Sequence, residues 1–273
     1  MNRAYQSPQA EGSRTAAAVG RGPWVWRFGV VGSCLDTARM LAARGWLAPW
    51  ESVQAVSQTA GRGQLRRQWR SPPGNLYAAL RLPCAPPFDG SAAAPAMGVL
   101  AARALQTMGW PVRLKWPNDL VLDGADGTPR KVAGVLLEER GGVLLAGMGL
   151  NVAWAPETAE LRADAALEAT CLAAAAAGRE NKGASRHIPT AEALWQHLVM
   201  CLYSAYNSGH SFSEQWRDGL EDMLLWRGLI VELCDDGRVT RGRLEGLGAS
   251  GGVCLDTGGR VEEFFCGSLR RGG

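Results

Sequence analysis

Residues 112–154 constrain the fold most, because four short apolar runs alternate there with turn signals. Pro-Asn-Asp, Asp-Gly and Gly-Gly segments lie between the runs. Short apolar runs bounded by such residues are typical of strands joined by tight turns. The pattern therefore predicts an antiparallel meander.

Helices and further strands are predicted on both sides of this meander. Apolar residues recur at helical spacing in the segments 33–45, 94–109 and 191–209, which predicts a helix in each. Ser33 is available to cap the first helix and Gly45 to end it. Compact apolar runs predict strands at 24–31, within 51–63 and at 74–83.

The segment 228–271 contains about five short apolar runs separated by Asp-Gly and Gly-Gly turns. This spacing predicts a small closed β-barrel. Composition changes near Trp226, so a domain boundary is expected at about 222–227. The predicted organisation is a mobile N-terminal tail at 1–23, a larger domain at 24–222 and a small domain at 223–273. The predicted fold class is α/β (α+β), with a mixed, largely antiparallel sheet flanked by helices.

Composition argues against several kinds of chemistry. The seven cysteines are scattered without a C-x-x-C pair, which predicts reduced thiols rather than a disulfide framework or a zinc site. With three histidines in the chain, a histidine-based triad or metal centre is not expected, and no metal ligands are assigned. The start of the chain is polar, and no apolar run reaches the length of a membrane-spanning helix. We therefore expect a cytoplasmic protein without a membrane partner.

The segment QTAGRGQLRRQW (58–69) combines turn chemistry with positive charge. Gly61 and Gly63 allow successive backbone N–H groups to converge into an anion-binding nest, and the surrounding arginines add forked donors. The motifs of P-loops and dinucleotide-binding folds are absent, so a phosphate-bearing ligand held in another way is predicted. Two alternatives stay open, a solvated basic loop and a single-stranded nucleic-acid site in which Trp69 and Tyr77 stack on bases.

A second motif, KWPNDL, places Lys115 at the end of a predicted strand, directly before a turn. An ammonium group in that position is able to stabilise a developing negative charge, and the alternative is an exposed turn lysine. Gly134, Gly147 and Gly149 lie inside strand-like runs, where glycine indicates a bulge or the close approach of a ligand or another backbone.

Together, these motifs resemble those of biotin protein ligases. GRGQLRRQWRSPPGNLY is similar to the family's arginine loop, KWPNDL and KVAGVLLE are near-complete matches, GMGLNV matches a glycine-rich strand, and SCLDTARMLA resembles a helix start. The resemblance covers roughly residues 24–273. It implies a mixed sheet flanked by helices and a small SH3-like C-terminal barrel. It also implies that the chain uses ATP and Mg2+ to convert biotin to biotinyl-5'-AMP, and then transfers biotin to a lysine of a biotin carboxyl carrier protein.

The resemblance further implies roles for individual residues. Lys115, Arg62 and Arg67 would be catalytic, with Lys115 contacting the biotin carboxylate and the phosphate. Biotin would be bound by Ser33, Gln58, Gly61, Arg62, Gly63, Gln64, Lys115, Gly134 and Gly147. ATP and the adenylate would be bound by Arg67, Trp69, Asn118, Asp119, Lys131 and Asn151.

The chain departs from the family pattern in two places. Gln64, Leu65 and Arg66 stand where the family has Arg-Arg-Gly, and Cys34 and Leu35 replace two polar residues of the helix start. The first departure removes one charged contact, so the adenylate is expected to escape more readily.

The expected partners follow from the same resemblance, and the competing functions follow from the shared fold and from the arginine loop. The 1–23 segment is too short for the winged helix of repressor members, so no specific DNA binding is expected. An edge of the sheet is expected to pair with the carrier or with a second copy in a homodimer. Two alternatives remain, a lipoate or octanoate protein ligase or transferase of the same fold and a noncatalytic nucleic-acid-binding module.

Overall fold

The computed structural model describes residues 13–15, 23–64, 67–157, 167–180, 187–208 and 216–272. The strands of the larger sheet are β1 (Ser13–Thr15), β2 (Val25–Val31), β3 (Ser52–Gln58), β4 (Leu76–Leu82), β5 (Arg113–Lys115), β6 (Asp119–Asp123), β7 (Pro129–Arg140) and β8 (Val143–Leu150). The helices are α1 (Cys34–Ala43), α2 (Ala93–Thr107), α3 (Leu172–Glu180), α4 (Ala191–Asn207) and α5 (Leu220–Met223). The strands of the smaller sheet are β9 (Ile230–Asp235), β10 (Arg238–Leu247), β11 (Val253–Asp256), β12 (Val261–Phe264) and β13 (Ser268–Arg271).

The larger sheet has the strand order β1-β2-β3-β4-β8-β7-β6-β5. β2 and β3 are parallel, because α1 crosses over between them, and the other neighbouring pairs are antiparallel. This confirms the predicted mixed, largely antiparallel sheet. β5 to β8 form the predicted meander, joined by short turns.

Helices cover both faces of this sheet. α1 packs on one face against buried side chains such as Val53, Tyr77 and Leu145. α2 and α4 pack on the other face, where the main core lies and includes Ala78 and Leu80. Since successive residues of a strand point to opposite faces, β4 contributes to both cores. The candidate site described below lies on the face that α1 covers only in part.

The smaller sheet has the order β12-β11-β10-β9-β13, with all its pairs antiparallel. The five predicted short strands are confirmed. The prediction of a closed barrel is not matched by the hydrogen bonding, because β12 and β13 end the sheet without pairing to each other among the described strands. Apolar residues of this sheet, including Val231, Leu244 and Leu269, belong to the same core cluster as α2 and α4.

The segment predicted as a mobile tail contains β1, which pairs with the outer edge of β2. That pairing corrects the prediction at residues 13–15, and residues 1–12 and 16–22 lie outside the described part. All seven cysteines are free thiols. Among the described helices, none has the length and apolar character needed to cross a membrane.

Candidate active site

One row of residues runs across five neighbouring strands of the larger sheet. In register, Tyr77 of β4 lies opposite Gly149 of β8, Gly149 opposite Gly134 of β7, Gly134 opposite Asp119 of β6, and Asp119 opposite Lys115 of β5. Directly opposite residues share a face of the sheet. The two glycines therefore form a flat strip, here called the glycine floor (Gly134 and Gly149), and charged side chains lie at one end of it.

That charged end is dominated by cations. Lys115 is 3% exposed, and its Nζ lies 4.0 Å from Asp119 Oδ2. Lys131 Nζ lies 2.5 Å from Asp119 Oδ1. Burial lowers the pKa of Lys115; the Asp119 carboxylate opposes this, and the charges of Lys131 and Arg67 add to it. Two lysines at one carboxylate, with the charge of Arg67 acting on Lys115 as well, leave a local positive excess, which favours binding of an anion.

The indole of Trp69 lies on the glycine floor. A Cβ atom at Gly149 would be 2.4 Å from Trp69 Cε2, and one at Gly134 would be 3.2 Å from Trp69 Cζ3. The Nζ atom of Lys131 lies 5.4 Å from the centroid of the indole. Trp69 Nε1 is buried and has no hydrogen-bond partner among the described residues. Trp69 thus fills the space above the glycine floor, and its indole N–H is buried there without a partner among the described residues.

The arginine loop (residues 58–70) forms a narrow hairpin in its described parts, residues 58–64 and 67–70. Gly63 N donates to Arg67 O over 2.7 Å, and Trp69 N donates to Gly61 O over 2.9 Å. Gly61 has no room for a side chain, because a Cβ atom there would be 2.5 Å from Trp69 O. The predicted nest of free amides is therefore not formed at Gly63, whose N–H is already bonded within the hairpin. Leu65 and Arg66 lie outside the described residues.

Gln58 ties both ends of this loop to α1. Its Oε1 accepts a hydrogen bond from Cys34 N at 2.8 Å, and its Nε2 donates to Ser71 Oγ at 2.9 Å. The backbone N–H of Gln58 also donates to Ser71 O. The side-chain amide of Gln58, a residue predicted to bind biotin, is thus already bonded to protein at both of its ends.

Arg62 is clamped by two carboxylates. Its Nη1 and Nη2 donate to Asp36 over 2.7 and 2.8 Å, and its Nε and Nη2 donate to Glu138 over 2.9 and 3.1 Å. Its Nη1 also lies 3.4 Å from Ser33 Oγ. Arg39 donates to Glu138 over 2.7 Å. Arg62 therefore anchors the arginine loop to α1 and β7 in this structure.

This clamp depends on pH and on each carboxylate. Arg62 lowers the pKa of both Asp36 and Glu138, so the attachment is complete above their ordinary values, about 3.9 to 4.3. The attachment is lost as the pH falls through the lowered pKa values that the two carboxylates have in the folded chain.

At neutral pH we expect Glu138→Gln to speed tryptic cleavage within the loop by roughly fivefold, a discounted value because the ion pair of Arg62 and Glu138 is partly exposed. Cleavage rates followed by mass spectrometry check this.

The matched control is Glu139→Gln, on the same strand, since no ion pair of Glu139 is found within the described residues. Equal cleavage of the Glu138→Gln variant and the unaltered chain would show that the clamp does not hold the loop.

Four other residues predicted for the site have structural contacts. Asn118 Nδ2 donates to Val135 O over 2.6 Å, and Asn151 Nδ2 donates to Thr170 O over 3.1 Å. A Cβ atom at Gly147 would be 2.8 Å from Leu35 Cδ1, so the space above Gly147 is filled by α1 rather than left open. Gln64 is exposed, and its backbone O accepts a hydrogen bond from Arg67 N.

The sequence argument assigned no site role to Gly149, Asp36 or Glu138. Gly149 was recognisable, because Gly147 and Gly149 are two residues apart in a strand and share a face. Asp36 and Glu138 carried no such signal, since they are 26 and 76 residues from Arg62.

Comparison with known proteins finds similar sequences and a similar fold. Residues 46–153 match the model of the biotin/lipoate A/B protein ligase family. The biotin–[acetyl-CoA-carboxylase] ligase of Paracoccus denitrificans is 39% identical over 117 residues, which cover 38% of this chain and 45% of that protein. The bifunctional ligase/repressor BirA of Escherichia coli is 38% identical over 122 residues, 40% of this chain and 35% of that protein. The matched part of the chain thus spans less than half the length of these relatives.

A solved structure extends the likeness to nearly the whole chain. The biotin protein ligase from Aquifex aeolicus in complex with biotin and ATP matches with a TM-score of 0.69 and 24% identity, covering 93% of this chain and 100% of that chain. At this identity the likeness shows a shared fold. Residues 46–153 are thus similar to the biotin/lipoate A/B protein ligase family, and the chain shares the fold of a biotin protein ligase.

Proposed function

We propose that this chain is an ATP-dependent biotin protein ligase, which makes biotinyl-5'-AMP and transfers the biotinyl group to a lysine of a biotin carboxyl carrier protein. The observation that carries the proposal is the pair of lysines, Lys115 and Lys131, at one carboxylate beside the glycine floor, with the charge of Arg67 also acting on Lys115. Such a site suits two anions at once, the carboxylate of biotin and the phosphates of ATP.

The first proposed step joins these two anions. A carboxylate oxygen of biotin attacks the α-phosphorus of ATP, the bond to the β-phosphate oxygen breaks, and pyrophosphate leaves. Lys115 is placed to offset the charge that builds on the phosphate, since a buried ammonium interacts strongly with a nearby anion. Lys131 and Arg67 reduce the repulsion between the two substrates and hold them within reaction distance.

Mg2+ is proposed to enter with ATP. Among the described residues, no group of three or more histidine, cysteine, aspartate or glutamate side chains is arranged to hold a metal ion. Asp119, the carboxylate nearest to Lys115, is engaged by Lys131. When bound to the phosphates, Mg2+ would neutralise part of their charge, while the lysines supply the fixed charge on the protein.

In the second proposed step, the neutral amine of the carrier lysine attacks the acyl carbon, the bond from that carbon to the phosphate oxygen breaks, and AMP and one proton leave as the amide bond forms. The arginine loop covers the glycine floor through Trp69, an arrangement that shields a mixed anhydride from water. The same placement disfavours the nucleic-acid alternative, because an indole packed on the sheet is not free to stack on bases.

Transfer is tested with purified carrier domain, ATP, Mg2+ and biotin, followed by streptavidin detection. The matched control is a carrier domain whose acceptor lysine is replaced by arginine. We expect label that requires ATP and the acceptor lysine. A carrier that stays unlabelled, or that is labelled equally without ATP, would overturn the transfer step.

The missing loop charge at Gln64 gives a further prediction. We expect the unaltered chain to release some biotinyl-5'-AMP and to label lysines of an unrelated protein, and Gln64→Arg to reduce that label about tenfold. The basis is a regained charge-assisted hydrogen bond of roughly 1.5 kcal/mol. Streptavidin blots of an unrelated lysine-rich protein, in reactions where the carrier is fully labelled, measure this.

Gln68→Arg adds the same charge elsewhere in the arginine loop and is the matched control. Absence of label on the unrelated protein with the unaltered chain would contradict the prediction of escape.

A further inference from the structure

The smaller sheet reaches the buried ammonium of Lys115. Ser268, the first residue of β13, accepts a hydrogen bond from Lys115 Nζ at a distance of 3.5 Å. The charged groups that face this ammonium are Asp119, with its nearest oxygen at 4.0 Å, and the cations Lys131 and Arg67. Asp119 is itself shared with Lys131 at 2.5 Å. Among the described residues, no contact joins Lys131 to Ser268. The Ser268 hydroxyl, unlike the Asp119 carboxylate, is therefore not shared between the two lysines.

The strand that carries Lys115 is fixed to the second half of the chain at further points. Trp116 Nε1, one residue after Lys115, donates to Gly251 O over 2.9 Å in a buried contact. Leu225 N donates to Leu114 O over 2.8 Å. β5 is therefore held from three sides: by β6 within its own sheet, by the segment after α5 and by the smaller sheet.

The turn around Gly251 fits closely against the larger domain. Gly251 has φ +80°, and a Cβ atom there would be 2.6 Å from Ala92 Cα, a backbone atom that has no freedom to rotate away. Ser91 Oγ donates to Ser250 O over 2.7 Å in the same contact. With so little room for movement, the distance from β13 to Lys115 is set by packing rather than by a flexible linker.

We propose that Ser268 is a positioning residue for Lys115, so that the smaller sheet completes the adenylation site by accepting a hydrogen bond from its ammonium. Two remaining N–H bonds of the ammonium are then directed at Asp119 and at the incoming anion. This inference rests on the proposed function for its effect on catalysis, but the contact itself is testable without any activity.

The expected effect on Lys115 has a definite sign. The hydroxyl oxygen accepts a hydrogen bond from the charged form and therefore favours it. Burial, Lys131 and Arg67 already lower the pKa of Lys115. Removal of the hydroxyl is expected to lower the pKa of Lys115 further. A reaction that requires the ammonium form then loses rate at a lower alkaline pH than in the unaltered chain.

The contact is tested first by nuclear magnetic resonance of the purified chain with 13C-labelled lysine. The chain has three lysines, Lys115, Lys131 and Lys182, so the Cε signal of Lys115 is assigned by its absence in Lys115→Arg. We expect Ser268→Ala to lower the titration midpoint of Lys115 by roughly one pH unit, which corresponds to about 1.4 kcal/mol. Ser268→Thr, which keeps the hydroxyl, should restore it.

Thr257→Ala is the matched control, because it removes a hydroxyl from the β11–β12 turn of the same sheet, where the side chain bonds Arg260 O and Glu262. An unchanged Lys115 midpoint in Ser268→Ala would overturn the inference whatever the enzyme does.

The catalytic readout is biotin-dependent exchange of pyrophosphate into ATP across pH 7 to 10. For Ser268→Ala we expect kcat to fall about tenfold, the scale of one lost hydrogen bond to a charged group, with KM for biotin unchanged and the alkaline limb moved to lower pH. A loss of kcat with an unmoved pH profile and no rescue by Ser268→Thr would show a merely structural role. Failure of the unaltered chain to exchange would count against the proposed function alone, since the titration of Lys115 is measured separately.

Discussion

Replacement of Lys115 by alanine is expected to lower the rate of biotin adenylation by roughly two to three powers of ten, the usual scale for loss of a group that stabilises transition-state charge. Lys115 is the most deeply buried of the three cations, and Lys131 at the same end of the row is already engaged by Asp119 at 2.5 Å. The KM for biotin should change much less than kcat, because the charge grows as pyrophosphate leaves. Single-turnover formation of biotinyl-5'-AMP measures the step directly.

Arg113→Ala is the control for this experiment. Arg113 begins the same short strand and forms an ion pair with Asp123, whose side chain is about half exposed. The Arg113→Ala substitution removes a cation from β5 but changes no residue of the row that ends at Lys115. A Lys115→Ala variant that folds normally and adenylates biotin at the unaltered rate would remove Lys115 from the proposed mechanism.

Replacement of Gly149 by alanine is expected to have the second-largest effect. The new Cβ atom would lie 2.4 Å from Trp69 Cε2, a separation at which the indole must move. Trp69 also packs beside Lys131, so its displacement disturbs the covering loop and the cation cluster together. A misplacement of about 1 Å at a reacting site typically costs up to a hundredfold in rate. We therefore expect adenylation to fall by one to two powers of ten, measured in the same single-turnover assay.

Gly29→Ala provides the comparison, because Gly29 lies within β2 of the same sheet and a Cβ atom there meets nothing within 4 Å. It should adenylate biotin at the unaltered rate. Equal rates for Gly149→Ala and Gly29→Ala would mean that the glycine floor is not needed for the reaction.

The strands and helices around this site were largely predictable because their signals are local. The alternation of apolar runs and turns in 112–154 is a property of neighbouring residues, and the meander β5 to β8 follows it closely. The strand β1 was not predictable, since it depends on pairing with the edge of β2 rather than on its own composition. The sequence indicated the five strands of the smaller sheet but not whether the sheet closes, because strand count alone does not decide whether the end strands pair.

The chemistry of the site was predictable in residue type but not in arrangement. Lys115 was recognisable at its strand end. The clamp on Arg62 was not, because its carboxylates come from α1 and β7, and a charge balanced by distant partners is invisible in a local motif. Gly147 and Gly149 were also not distinguishable from the local sequence. Both face one side of β8, but α1 fills the space above the first and Trp69 the space above the second.

Exchange of labelled pyrophosphate into ATP by the purified chain, in the presence of Mg2+ and either biotin, lipoate, octanoate or no acid, tests the central proposal most directly. The cation cluster at Lys115 is proposed to join a carboxylate to the α-phosphate, so exchange should require an acid, and biotin should be the acid that supports it. Exchange with lipoate or octanoate instead would identify a different acyl substrate for the same site. No exchange with any acid would contradict the assignment of an adenylating enzyme.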